Sequence, residues 1–153
     1  MNAPAPSLKS RALRLLSTRE HSRAELERKL QSHEVEPGSL AQALDALQAR
    51  GFISDQRVIE SVVHRRANSL GAMRVRQELQ AKGLDREAVT QAVASLQATE
   101  LERARGVWQK KFGQVAPDPS TRARQMRFLA ARGFGADVIR RIVSDPHRDE
   151  SES

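Results

Sequence analysis

Ser22-Arg-Ala-Glu25-Leu26-Glu-Arg-Lys29-Leu30-Gln-Ser-His33-Glu-Val35 opens a pattern that the chain writes three times. It returns as Gly71-Ala-Met-Arg74-Val75-Arg-Gln-Glu78-Leu79-Gln-Ala-Lys82-Gly83-Leu84, and again as Thr121-Arg-Ala-Arg124-Gln125-Met-Arg-Phe-Leu129-Ala-Ala-Arg132-Gly133-Phe134. Leu30, Leu79 and Leu129 share one register at a period of about fifty residues, and Val35, Leu84 and Phe134 share another. His33, Lys82 and Arg132 keep a cationic or protonatable residue just before the turn. Self-similarity at this period predicts stacked helical units, each too small to bury its apolar stripe alone. The question therefore shifts from catalysis to what a row of helices binds.

Each unit reads as three helices. Leu8, Ala12, Leu15 and Leu16 give a first helix its stripe over about 8–17. Ser22 with Glu25 three residues later forms a capping-box pattern, and Leu26 and Leu30 stack one turn apart. Pro37 is expected in the first turn of a third helix carrying Leu40, Leu44 and Leu47, which Gly51 stops. Ser54 and Asp55 open the next unit, whose first helix is expected to run through Ile59, Val62 and Val63 to about Leu70. A helix over Ala72–Lys82 ends at Gly83, and Asp85 caps another with Val89, Val93 and Leu96. The third unit starts near Thr99 and pauses at Gly113–Pro119. It resumes at Ser120 or Thr121, and Gly133–Gly135 leads into a last helix with Val138, Ile139, Ile142 and Val143.

The expected architecture is all-α: three tandem three-helix repeats over 8–51, 52–98 and 99–145, forming an elongated, curved array. Polar tails are expected at 1–7 and 146–153. At 153 residues such a chain can bury about 70% of its unfolded surface. The absence of cysteine removes disulfides and thiolate metal sites and fits a reducing cytoplasm. No apolar run approaches a membrane span and the first ten residues lack a signal-peptide core, so no membrane contact is expected.

The net charge of +7 is concentrated. Arg103, Arg105, Lys110, Lys111, Arg122, Arg124, Arg127, Arg132, Arg140 and Arg141 face only Glu102, Asp118 and Asp137 between Leu101 and Val143. The rest of the chain is balanced, so the third unit is the part suited to a polyanionic partner, nucleic acid or an acidic protein surface.

Catalytic chemistry has no visible constellation. His21, His33, His64 and His147 lack metal-ligand spacing and read as surface or turn residues. Glu25 is explained as a capping partner, and no glycine-rich loop follows a strand to cradle phosphate. No cofactor and no enzyme activity are expected. The basic residues carry more. Arg65 and Arg66 end a helix, where they also complement its dipole, and Arg74, Arg76 and Lys82 surround Val75 and Leu79. Lys110 and Lys111 lie beside Trp108, whose apolar-periodic position makes it core before it is a stacking platform. Arg122, Arg124 and Arg127 crowd one stretch of helix without balancing acids, an arrangement able to hold phosphates without reading sequence.

Ala12-Leu13-x-x-Leu16-x-x-Arg19-x-x-Ser22-x-x-Glu25-Leu26-x-x-Lys29-Leu30 resembles the opening signature of the RecX regulatory proteins. Gly51-Phe52-Ile53-Ser54-Asp55 resembles that family's entry into its second repeat. Arg74-Val75-Arg76-Gln77-Glu78-Leu79-x-x-Lys82-Gly83-Leu84 is similar to its most diagnostic stretch, and Lys110-Lys111-Phe112 to its basic third-repeat segment. The matches fall in the family's order over nearly the whole chain. Two departures are Gly71-Ala72, where Gly-Pro is common, and Gln56-Arg57-Val58-Ile59-Glu60, which replaces a more aromatic run. The first is expected to relax its turn slightly.

The resemblance implies a monomeric modulator of the RecA recombinase. It would lie in the groove of the RecA–DNA filament and lower ATP hydrolysis, strand exchange and coprotease activity, with weak, sequence-independent binding of single- or double-stranded DNA. Arg65, Arg66, Arg74, Arg76, Lys82, Lys110, Lys111, Arg122, Arg124 and Arg127 are the candidate contacts to RecA or to DNA. A stand-alone helix-turn-helix-like DNA binder and a helical adaptor for another protein remain open alternatives.

Overall fold

The computed structural model describes residues 4–144. Nine α-helices follow one another among them, with no strand. The first repeat holds α1 (Leu8–Thr18), α2 (Arg23–Leu30) and α3 (Ser39–Ala49), with a short 3₁₀ turn over Gln31–His33. The second holds α4 (Asp55–Arg66), α5 (Ala72–Ala81) and α6 (Arg86–Ala98); the third holds α7 (Glu100–Lys111), α8 (Pro119–Ala131) and α9 (Ala136–Ile142). The expected C-terminal tail and His147 lie outside the described residues.

Local chemistry sets most boundaries. Ser22 accepts from the Glu25 amide while the Glu25 side chain returns to the Ser22 amide, a complete capping box. Ser54 and Asp85 cap α4 and α6 through their side chains. Gly51, Gly83 and Gly133 follow their helices at positive φ (82°, 67° and 89°), a region that costs glycine nothing.

Three expected boundaries need correction. Pro37 lies in the turn before α3, not in its first turn; Gly38 caps the helix, and the Glu34 carboxylate accepts from the Leu40 amide in place of a local side-chain cap. α4 ends at Arg66, short of Leu70, because the Arg103 guanidinium takes the Ala67 and Leu70 carbonyls and holds that segment as a turn. α8 begins at Pro119, capped by Asp118, rather than at Ser120 or Thr121.

Each repeat has its own apolar centre. Ala12, Leu26, Leu30, Leu44 and Leu47 pack the first, Val58, Val62, Val75, Leu79 and Val93 the second, and Ala104, Trp108, Leu129, Ile139 and Ile142 the third. Trp108 is core, its indole donating to Gln125 Oε1 at 3.2 Å.

The repeats are joined by one device used twice. In each, a middle helix docks on the end of the next repeat's middle helix. At the first joint Ser22 Oγ donates to the Lys82 carbonyl and Arg28 to the Ala81 carbonyl (2.9 Å). At the second the Gly71 amide donates to the Arg132 carbonyl (2.8 Å) and Arg74 to the Ala131 carbonyl (2.7 Å). The acceptors are last-turn carbonyls left without intrahelical donors, at the negative end of the helix dipole. This is where the repeated register of the sequence acquires its physical meaning.

The second joint is closely packed at Gly71-Ala72. A Cβ on Gly71 would lie 2.3 Å from the Gly133 carbonyl carbon, so the backbones are already in contact. The Ala72 amide donates to buried Glu100 Oε1 at 2.7 Å, a bond that proline cannot make. Ala72→Pro is therefore expected to lower stability by about 1–2 kcal/mol by leaving a buried carboxylate short of a donor, despite proline's fit to the first helical position. Urea unfolding of the two proteins checks this; a more stable variant would show that proline's rigidity outweighs the bond.

Candidate functional site

The basic residues are divided by the fold into joint-builders and open cations. Lys82 is only 14% exposed at its side chain and sits 3.6 Å from Glu25 Oε2, across the first joint. Arg74 is committed to the Ala131 carbonyl, with Gly133 against its side chain. Arg66 pairs with Glu78 (3.1 Å), and Arg65 approaches the same carboxylate at 3.9 Å. Arg122 donates to the Ala116 and Pro117 carbonyls and so pins the loop before α8. On an α-helix it stands roughly 160° around from Arg124, so Arg122, Arg124 and Arg127 do not form one face.

Of the candidate residues, those left open are Arg76 on α5, Lys110 and Lys111 on α7, and Arg124 and Arg127 on α8, all exposed. Lys110 and Lys111 line a groove of about 810 Å³ between α7, α8 and the turn at Asn68–Ser69. Its floor is Gly106, Val107 and Phe128. Phe128 meets Phe112 edge-on at 5.2 Å, with the Arg132 guanidinium 4.8 Å and the Lys111 ammonium 5.6 Å from its centroid. Such contacts hold cations in place without neutralising them. A smaller hollow gathers Arg105, Arg140 and Arg141 around Asp137, which pairs with Arg140. Among the described residues no group of three or more acids and histidines could hold a metal ion. None of their helices is long and apolar enough to cross a membrane.

At the first joint charge is buried. Burial alone would push the Glu25 carboxyl up, but the Arg19 guanidinium (2.8 Å), the Ser22 amide and the nearby Lys82 and Arg19 charges outweigh it and hold its pKa at about 2. His21 is 1% exposed, so the surface reading of this residue is corrected: it lies in a turn, but inside. Its Nδ1 is 3.0 Å from the Arg19 carbonyl and its Nε2 3.2 Å from Lys29 Nζ, which suits the neutral ring with the proton on Nδ1. Burial lowers its pKa, and the Arg19 and Lys29 charges add to that against the carbonyl hydrogen bond. His33 and His64 are exposed, as read from sequence.

Both groups release protons more readily folded than unfolded, so the unfolded chain gains protons first as the pH falls. Stability is then complete above about pH 6.5, declines through His21 below it, and declines again through Glu25 between about pH 4.5 and 2. The Glu25 part is on the order of 2–3 kcal/mol after allowing for the half-exposed Arg19. Denaturant unfolding at pH 7, 5 and 3 should show a smaller acid loss in Glu25→Gln than in the wild type; parallel profiles would refute the assignment.

The three repeats match three family models in chain order. Residues 9–47 match RecX, first three-helix domain; residues 54–93 match the second, and residues 98–143 the third. The chain belongs to the RecX family. It is 52% identical to the regulatory protein RecX of Leptothrix cholodnii over 93% of this chain and 90% of that one. It is 47% identical to the regulatory protein RecX of Ralstonia nicotianae, covering 90% and 86%. The crystal structure of RecX from Lactobacillus salivarius superposes with a TM-score of 0.74 at 24% identity, over 89% of this chain and 92% of that one. At that identity the likeness speaks for the fold. The relatives carry the name of regulatory proteins, which agrees with a binding surface rather than a reaction centre.

Within this RecX-family protein, sequence reading missed Phe128, Gly106 and Arg132 as parts of one groove. A signal was present: Phe128 stands four residues before Arg132 and four after Arg124, the spacing at which helix side chains meet.

Proposed function

We propose that this protein binds the RecA–DNA filament and inhibits the recombinase, ATPase and coprotease activities of RecA, so modulating DNA repair, homologous recombination and the SOS response. The observation that carries the reading is the match to all three RecX domains over most of the chain. The physical picture agrees with it. A row of repeats offers several weak contacts to neighbouring protomers of a polymer, and each contact raises the effective concentration of the next. Open cations on the third repeat speed encounter with an anionic filament. Preference for one filament state shifts assembly without chemistry by the modulator. The joints occupy Lys82 and Arg74, so the partner-facing role falls to Arg76, Lys110, Lys111, Arg124 and Arg127, with Arg65 and Arg66, which pair with Glu78, in support. The protein acts as a cytoplasmic monomer, with DNA contacts that are weak and indifferent to sequence.

ATP hydrolysis by preformed RecA filaments on single-stranded DNA, titrated with this protein, tests the reading. Inhibition well below one modulator per RecA and insensitive to added DNA is the expected result. An effect removed by excess DNA would instead identify a plain DNA binder, and no effect would leave a helical adaptor for another protein.

A further inference from the structure

Gly106 sits in the interior of α7, where glycine weakens a helix relative to alanine. Each of the other seven glycines has a local reason. Gly38, Gly51, Gly83, Gly113 and Gly133 have positive φ, Gly71 touches the Gly133 backbone, and Gly135 caps α9 against Glu100. Gly106 has neither a positive φ nor any atom within 4 Å of where its Cβ would stand. Nothing inside the chain requires it.

The empty space above Gly106 is the groove floored by Val107 and Phe128 and lined by Lys110, Lys111 and Arg132. Lys110 has no ion-pair partner among the described residues. The floor is apolar, and Phe128 is already approached by two cations, which leaves it poorly placed to stack a nucleobase. Glu102 on the same lining repels phosphate and carboxylate alike; it lies about two turns before Lys110 on α7, so an occupant's anionic groups belong at the Lys110–Lys111 end of the groove.

We infer that this groove receives an acidic peptide segment of the partner protein. The segment seats its backbone or a small apolar side chain against Gly106 and Phe128 and pairs its carboxylates with Lys110, Lys111 and Arg132. Close approach is what the missing Cβ permits, and the cations supply charge complementarity. This assignment rests on the proposed binding to the RecA filament.

Gly106→Ala and Gly106→Leu test it, since both favour the helix and remove no charge. Each variant is expected to fold and to melt about 2–4 °C higher than the wild type. In co-sedimentation with RecA filaments on single-stranded DNA, Gly106→Leu is expected to bind at least about tenfold more weakly. Its affinity for a bare thymidine oligonucleotide, read by fluorescence anisotropy, should stay within about twofold of wild type, because every cation is intact. Wild-type filament binding by Gly106→Leu would overturn the groove as a docking site. An equal loss on the bare oligonucleotide would make it a nucleic-acid site instead. A lower melting temperature in both variants would give Gly106 an internal role and also overturn the inference. A wild-type protein that ignores filaments would fail earlier, at the RecA reading itself.

Discussion

Replacing Gly71 by valine should separate the third repeat from the second. The side chain would have to occupy space where the Gly133 carbonyl carbon and oxygen stand 2.3 Å from the Cβ position and the Phe134 amide nitrogen 2.5 Å. These are backbone atoms, with no flexible end to swing aside. The joint must open, which removes the Gly71 bond to the Arg132 carbonyl, strains the Arg74 bond to Ala131 and pulls the Ala72 amide from Glu100. A loss of about 3–5 kcal/mol is expected, from overpacking together with a buried carboxylate left underbonded. Because stability in repeat arrays is carried by neighbour interfaces, unfolding should split into two transitions. The third repeat melts first and the first two near the wild-type temperature. The unfolding of α7–α9 can be followed by the fluorescence of Trp108, the one tryptophan of the chain. A single transition at the wild-type temperature would show that the joint contributes nothing. Gly106→Ala, at a position open to solvent, is the control expected to leave cooperativity intact.

Gly71 also marks where sequence reading stops. Ser22 with Glu25, Asp85 before α6, and Gly83 and Gly133 after their helices were all legible, because capping and termination act over three or four residues. The cores were legible for the same reason: Val89, Val93 and Leu96 fall on one side of a helix whatever packs against it. What was not legible depends on residues far apart in the chain. Arg103 shortens α4 from the other side of α6, and Glu100 gives the Ala72 amide a purpose. The candidate site follows the same division. The excess of charge on the third repeat was readable by counting. Which cations remain open was not, because Lys82, Arg74 and Arg122 are consumed by carbonyls and a carboxylate that only the fold brings near them. Trp108 drew attention beside Lys110 and Lys111, yet the ring that Lys111 approaches is Phe128, one helix away.

That division decides how the charged surface should be probed. Reversing Lys110 and Lys111 together to glutamate is expected to raise the concentration needed for filament inhibition by about 100-fold at low salt, since two attractive contacts become repulsive in a cationic groove. Neither lysine anchors the core. Lys110 makes no ion pair among the described residues and Lys111 only approaches Phe128, so the fold should persist and circular dichroism should match wild type. Changing Arg124 and Arg127 to alanine is the companion experiment; Arg122 is left in place because its loss would free the loop at Ala116 and Pro117. If those two arginines meet phosphates, the slope of log affinity against log salt should shrink by roughly 2. An unchanged slope with weakened inhibition would place them on protein instead. Titrations of the Lys110/Lys111 reversal that superimpose on wild type would remove the groove from the interface, and with it the reason for the charge excess on the third repeat.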